Sequence, residues 1–133
     1  MNKQRRKRSA RGLGLIEIVV YITIVAMLMS AVAVYAIGVQ RSAQIDAARL
    51  DLKNAEVALD MYLASKGRYP DPSDGFAPMV KIRALKKSPK DPWGNELFWE
   101  MREGAPVVWS YGADGVKGGV DQDADLSSAD VED

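Results

Sequence analysis

From Ile18 to Val39 the chain runs 22 residues without a charge, and no other feature narrows its fold so much. About 20 apolar residues cross the hydrocarbon core of a bilayer, whereas runs of roughly 10–14 belong to buried helices or secretory signals. A cleavable secretory signal, cut among the small residues near Ala31–Ala36, is the competing reading. The run is long for that, and it passes without a break into a helical pattern, so a membrane-spanning helix is expected. Residues 1–12 hold six basic side chains (Lys3, Arg5, Arg6, Lys7, Arg8, Arg11) and no acid. Basic flanks stay on the cytoplasmic side of a membrane, so the N-terminus is expected inside and the remainder exported.

One charge breaks the wider apolar segment Leu13–Val39, and it is Glu17. An ionisable group at the centre of a membrane helix costs about 2.5–3.5 kcal/mol, so a retained one points to function; at the interface it simply snorkels. Cleavage after Gly12 would create an ammonium on Leu13, four residues and about one helical turn before Glu17. Such an amine and carboxylate, paired between neighbouring helices in a medium of low dielectric, would fix the register of one subunit against the next.

Beyond the apolar run, Ile45, Ala48, Leu52, Ala55, Leu59 and Tyr62 step by three and four and form one apolar stripe on a helix ending near Lys66. Gly67 is placed to stop it, and Pro70 and Pro72 prevent its continuation. Gly38 is the one weak point and costs only about 1 kcal/mol within a helix. A nearly continuous helix from Leu13 to Lys66 is therefore expected, roughly 80 Å long at about 1.5 Å per residue. Residues 68–95 read as loops, with a short helix within Phe76–Leu85 packing through Met79, Val80 and Ile82. Five basic residues between Lys81 and Lys90 lack interleaved aromatics and read as a solvated loop rather than a nucleic-acid surface. Glu96–Met101 and Ala105–Tyr111 are expected to pair as antiparallel strands around Arg102-Glu103-Gly104. On them Leu97, Trp99 and Met101, and Val107, Trp109 and Tyr111, alternate toward a core against the helix stripe.

With 133 residues the chain has room for one small domain. Its 18 basic and 18 acidic residues cancel, but without the first twelve residues 12 basic face 18 acidic. The absence of His and Cys excludes thiol catalysis, Cys/His zinc sites, His general bases and disulfides. Metal chemistry, if present, uses oxygen ligands. The richest place for it is Tyr111–Asp125, where four glycines are interleaved with Asp114, Asp121, Asp123 and Asp125. Calcium takes six to eight oxygens, backbone carbonyls among them, in flexible geometry. An EF-hand reading of Asp121-x-Asp123-x-Asp125 fails because Leu126 stands where the loop needs a turn glycine. A solubilising acidic tail is the bland alternative, and a small sheet without disulfides gains from a metal clamp.

Arg11-Gly12-Leu13-Gly14-Leu15-Ile16-Glu17-Ile18, after a basic leader and before an apolar run, resembles the class III signal of type IV pilins and pseudopilins. Within that superfamily, Ala58-Leu59-Asp60-Met61-Tyr62, Gly67-Arg68-Tyr69-Pro70, Asp91-Pro92-Trp93-Gly94-Asn95 and Gly112-Ala113-Asp114-Gly115 are similar to the major pseudopilins of bacterial type II secretion. The resemblance implies an α+β, pilin-like fold: a long N-terminal helix packed on a small antiparallel sheet with a calcium-binding C-terminal loop. It implies a leader over residues 1–12, removed by a prepilin peptidase after Gly12, N-methylation of Leu13 and an assembly role for Glu17. A transmembrane and assembly helix over 13–39 would precede a periplasmic domain over 40–133, made of helix 40–66, loop 67–95, sheet 96–111 and acidic loop 112–133. Calcium would be held by Asp114, Asp121 and Asp123 with the backbone carbonyls of Tyr111 and Val116, and Asp125 directly or from behind. Leu13 stands where the family usually has Phe, Gly14 where it often has Thr, and a proline common near Val34 is missing.

The function implied is structural. Subunits would self-associate into a helical pseudopilus that pushes folded exoproteins through the outer membrane. Their partners would be the prepilin peptidase, minor pseudopilins, the inner-membrane secretion platform and the inner membrane itself, with no nucleic acid and no enzymatic activity. Type IV pilins forming long surface fibres are the nearest rival, but many close their C-terminal region with a disulfide that this chain cannot form. A membrane-anchored periplasmic enzyme is a remoter one, with no Gly-x-Ser-x-Gly and no phosphate-binding glycine loop to support it. A bulky residue in place of Gly12 should leave the leader uncut. The mass of the membrane-bound protein then stays at that of the full chain instead of falling to a species beginning at N-methyl-Leu13.

Overall fold

The structure, a computed structural model, describes residues 14–131. Residues 1–12, the expected Gly12–Leu13 cleavage point, Glu132 and Asp133 lie outside the described residues. The chain divides into two units, one ending at Gly38 and the other beginning at Val39.

Helix α1 covers Leu15–Lys66. Proline is absent from it, and Gly38 is its one glycine. In the first unit the Gly14 carbonyl accepts the N–H groups of Glu17 and Ile18, at 2.9 and 3.2 Å, and opens the helix. Thr23 Oγ1 donates to the Val19 carbonyl at 2.7 Å and Ser30 Oγ to the Ala26 carbonyl at 2.9 Å. Both hydroxyls thus spend their protons on their own helix, as an apolar medium requires. Apolar side chains from Leu15 to Val39 are exposed throughout, and the segment is long and apolar enough to cross a membrane.

The second unit holds the core. Along α1, Ala48, Leu52, Ala55, Ala58 and Leu59 are buried, while Ile45 and Tyr62 at the ends of the stripe are half-buried. Three alanines let the opposing layer approach closely, and Leu52 and Leu59 project into it between them. That layer consists of Phe76, Met79, Leu97, Trp99 and Val108. The helix stops where the sequence places its stop: Gly67 has a left-handed φ of 73°, and its N–H closes the last turn on the Leu63 carbonyl at 2.7 Å.

The short helix α2 is Ala77–Lys81, opened by Pro78 in its first turn. Met79 is fully buried as expected, but Val80 and Ile82 are only half-buried, and Phe76 just before the helix contributes more to the core. Trp99 Nε1 donates to the Gly75 carbonyl at 2.9 Å, which ties this segment to the sheet and satisfies a buried indole.

The sheet has three antiparallel strands in chain order: β1 Phe98–Arg102, β2 Ala105–Ser110 and β3 Leu126–Ser127. β1 begins two residues later than expected, because Glu96 forms only an isolated bridge with Lys90. β2 ends at Ser110 rather than Tyr111. β3 corrects the reading of 112–133 as loop throughout; two residues with no alternation of their own left no periodic trace. Ser128 Oγ, accepting the Val108 N–H at 3.1 Å, extends this edge and keeps a buried backbone donor paired.

A second correction concerns the faces. Arg102 pairs with Ala105, so the turn contains only Glu103 and Gly104, with φ of 49° and 87°. Positive φ at both positions is the signature of the tight turn that matches strand twist. The resulting register sets Trp99 opposite Val108 and Phe98 opposite Trp109. Trp99 and Val108 therefore face α1, while Val107, Trp109 and Tyr111, expected in that core, lie on the opposite face. There Phe98 stacks on Trp109, 6.5 Å between ring centres, and lies 4.2 Å from the Tyr111 ring. Arg102 caps Trp109 at 4.6 Å. Met101 falls near the hairpin end and is 40% exposed.

Glu103 is a side-chain-bearing residue in a backbone region that costs about 1 kcal/mol or more for residues other than Gly, Asn and Asp. Glu103→Asn should stabilise the protein by roughly 1 kcal/mol, read as a higher midpoint in urea unfolding with an unchanged slope.

Candidate functional site

The residues to which the sequence assigns chemistry fall in two places. The first is the start of α1. Glu17 lies in its first turn, where the partial positive charge of the helix end favours a carboxylate. Its side chain is exposed, and the Tyr21 hydroxyl one turn on donates to Oε1 at 3.4 Å. Around it, Leu15, Ile16, Ile18, Val19 and Val20 are exposed as well. Gly12 and Leu13, the expected cleavage and methylation residues, precede the described segment.

The second is the glycine-rich acidic loop after β2. Its first residues fold back against its last: Ala113 N–H donates to the Gln122 carbonyl at 2.8 Å, and Gly118 N–H to Asp125 Oδ1 at 2.9 Å. Two glycines make this possible. A Cβ on Gly112 would lie 2.6 Å from the Gln122 carbonyl oxygen, and one on Gly119 would run into the backbone of Asp123. Both glycines also have positive φ, 71° and 101°. Gln122 Nε2 donates to Gln44 Oε1 at 2.9 Å, fastening the returning segment to α1.

Asp114, Asp121 and Asp123 all sit on this loop with exposed side chains. Asp114 Oδ1 accepts the Val116 N–H at 3.0 Å, curling the chain locally. Asp121 has a left-handed φ of 55°. Tyr111 is half-buried where the loop leaves β2, and Val116 is 63% exposed. Among the described residues no three acidic side chains gather into a group that could hold a metal ion. Carboxylates alone therefore do not form a centre here. The oxygens available are hard ones, from aspartates and from the backbone that glycine leaves unscreened, and that donor chemistry fits calcium or a similar cation.

Asp91-Pro92-Trp93-Gly94-Asn95 stands out in the sequence as a motif, but nothing in the linear sequence assigns its residues a role. In the structure they grip the base of the acidic loop. Asp91 is 5% exposed, and Asn95 Nδ2 donates to the Gly112 carbonyl at 2.8 Å. The available signal was the pairing of an Asp-Pro turn with an Asn at its far end, two residue types that bond to nearby backbone.

Comparison with known proteins agrees with this architecture. Residues 35–129 match the family model described as type II secretion system (T2SS), protein G. The type II secretion system core protein G of Pseudomonas aeruginosa is 34% identical, over 96% of this chain and 99% of that protein. The chain belongs to the type II secretion system protein G family. The core protein G of Escherichia coli K12 is 33% identical over 81% of this chain and 85% of its own length, and that of Vibrio cholerae 29% over 97% and 98%. In fold, the chain is similar to the crystal structure of the major pseudopilin from the type 2 secretion system of enterohaemorrhagic Escherichia coli. The TM-score is 0.53 at 24% identity, covering 71% of this chain and 94% of that one.

In this protein G family member Asp91 also acts on the helix. The Asp51 carboxyl on α1 is pushed above its ordinary value of 3.8, first by burial and then by the negative charge of Asp91. A carboxyl raised on folding opposes the folded state wherever it must be ionised, and that opposition disappears below its unfolded value. Asp51→Asn should therefore raise the melting temperature at pH 7. The gain should shrink as pH falls and vanish once both states of the parent are protonated, which thermal melts across pH 3–7 would register.

Proposed function

We propose that this chain is the major structural subunit of a type II secretion pseudopilus. It would be anchored in the inner membrane by the apolar part of α1, with its N-terminus cytoplasmic and its folded unit periplasmic. The observation that carries the reading is the helical surface from Leu15 to Val39, apolar, exposed along its whole length and marked by one carboxylate, in a chain of the protein G family. Lipid covers such a surface before assembly and neighbouring subunits cover it afterwards.

A prepilin peptidase removes residues 1–12 and methylates Leu13. The new ammonium on one subunit then faces Glu17 on another. Leaving Glu17 unpaired in lipid costs about 2.5–3.5 kcal/mol, so pairing favours the docked register over a slipped one. Minor pseudopilins and the inner-membrane platform would be met at the ends of the growing filament, which displaces folded exoproteins outward. This work is mechanical, and the family gives no reason to assign the chain an enzymatic step. Membership of protein G rather than of a fibre-forming pilin family favours the pseudopilus over surface fibres.

Calcium completes the reading. Asp114, Asp121 and Asp123 would hold it together with the carbonyls of Tyr111 and Val116, and it would supply the cationic charge that draws exposed carboxylates in from solvent. Bound to the folded loop alone, it stabilises the unit by mass action.

Glu17→Ala should leave peptidase processing intact while abolishing filament assembly and exoprotein release. Mass spectrometry of the membrane fraction and electron microscopy of cells overproducing the subunit read the two effects separately. Filaments of ordinary length and number from the variant would refute the assembly role.

A further inference from the structure

Asp91 is a buried carboxylate that the assembly reading does not use. Its Oδ1 accepts the N–H groups of Trp93 at 3.1 Å and Asn95 at 2.8 Å, and its Oδ2 accepts the Ser110 hydroxyl at 2.8 Å. Two routes lead on from these bonds to the same residue of the acidic loop. The Ser110 oxygen accepts the Gly112 N–H at 3.2 Å, and Asn95 Nδ2 donates to the Gly112 carbonyl at 2.8 Å. The peptide after Gly112 is held a second time, by the Ala113 N–H on the Gln122 carbonyl. Gly115 then lies so close to Asn95 that a Cβ there would sit 3.0 Å from its Oδ1.

Both peptide planes flanking Gly112 are thus fixed. A peptide is planar and trans, so an N–H aimed at Ser110 sends the carbonyl of the same plane, that of Tyr111, in the opposite direction. We propose that Asp91, acting through Ser110 and Asn95, is the positioning residue of the cation site, aiming the Tyr111 carbonyl and holding the entry of the acidic loop in its binding conformation. The inference rests on the calcium reading above and adds residues to it that supply no ligand atom. Partners behind metal ligands commonly change affinity by about 10–100-fold when removed. In Asp91→Asn the new amide group either meets the Trp93 and Asn95 N–H donors or faces Ser110, whose hydroxyl must then give up its donor role, and in both cases the anchoring charge is lost.

The test uses the full chain in detergent, titrated with calcium chloride by calorimetry and melted in calcium and in chelator. Asp91→Asn should weaken calcium binding by at least about tenfold and shrink the rise in melting temperature that calcium gives the parent. It should also speed amide exchange at Gly112 and Ala113 in chelator. Asn95→Ala, which spares the buried carboxylate, should move all three readouts the same way and serves if Asp91→Asn does not fold. Unchanged calcium affinity in a folded variant, with melting lowered equally in calcium and chelator, would reduce Asp91 to a fold anchor and overturn the inference while leaving the calcium site standing. A parent protein that melts alike in calcium and chelator would overturn the calcium reading itself, and this inference with it.

Discussion

One face of α1 supports the folded unit. A sheet whose third strand is two residues long cannot bury its apolar side alone, and the chain has no cysteine with which to staple it. The stripe Ala48, Leu52, Ala55, Ala58 and Leu59 supplies the missing layer. Its alanines matter as much as its leucines, because they leave room for Trp99 and Met79 to reach the helix surface. Trp99 contributes the largest apolar surface in that layer and spends its one polar group on the Gly75 carbonyl. Loop, α2 and sheet thereby close on a single helix face.

The polar counterpart of this core is the knot around Asp91. A buried carboxylate is tolerated when donors surround it, and here two backbone N–H groups and a hydroxyl do so. The knot joins the 91–95 turn to the end of β2 and the start of the acidic loop, 17 to 19 residues further along the chain. Its negative charge reaches Asp51 on α1 as well, so the helix tolerates some electrostatic cost for the loop's anchor. The glycines at 112 and 119 belong to the same device, since the loop closes on itself at both without room for a side chain.

The first unit poses the opposite problem. Between Leu15 and Val39 the apolar side chains are exposed, and the Thr23 and Ser30 hydroxyls bond within the helix. Such a surface needs a covering that a single chain does not provide. Lipid and like helices both serve, and a subunit that moves from one to the other requires a surface compatible with both. Glu17, in the first turn of this surface, is its one charged side chain among the described residues.

The sequence by itself determined the long helix, its stop at Gly67, the apolar stripe and the family, because each is written in local periodicity or in short contiguous motifs. It also determined that any metal here is held by oxygen. Tertiary structure decided what depends on register and on contact between distant segments. The two-residue turn at Glu103 and Gly104 set Trp99 against Val108 and sent Trp109 and Tyr111 to the far face, whereas alternation along each strand was compatible with either side. β3 exists only because β2 offers it an edge. Asp91, Asn95 and Ser110 became one device only when the chain brought them beside Gly112, since hydrogen bonds across 17 or 19 residues leave no pattern in a linear sequence.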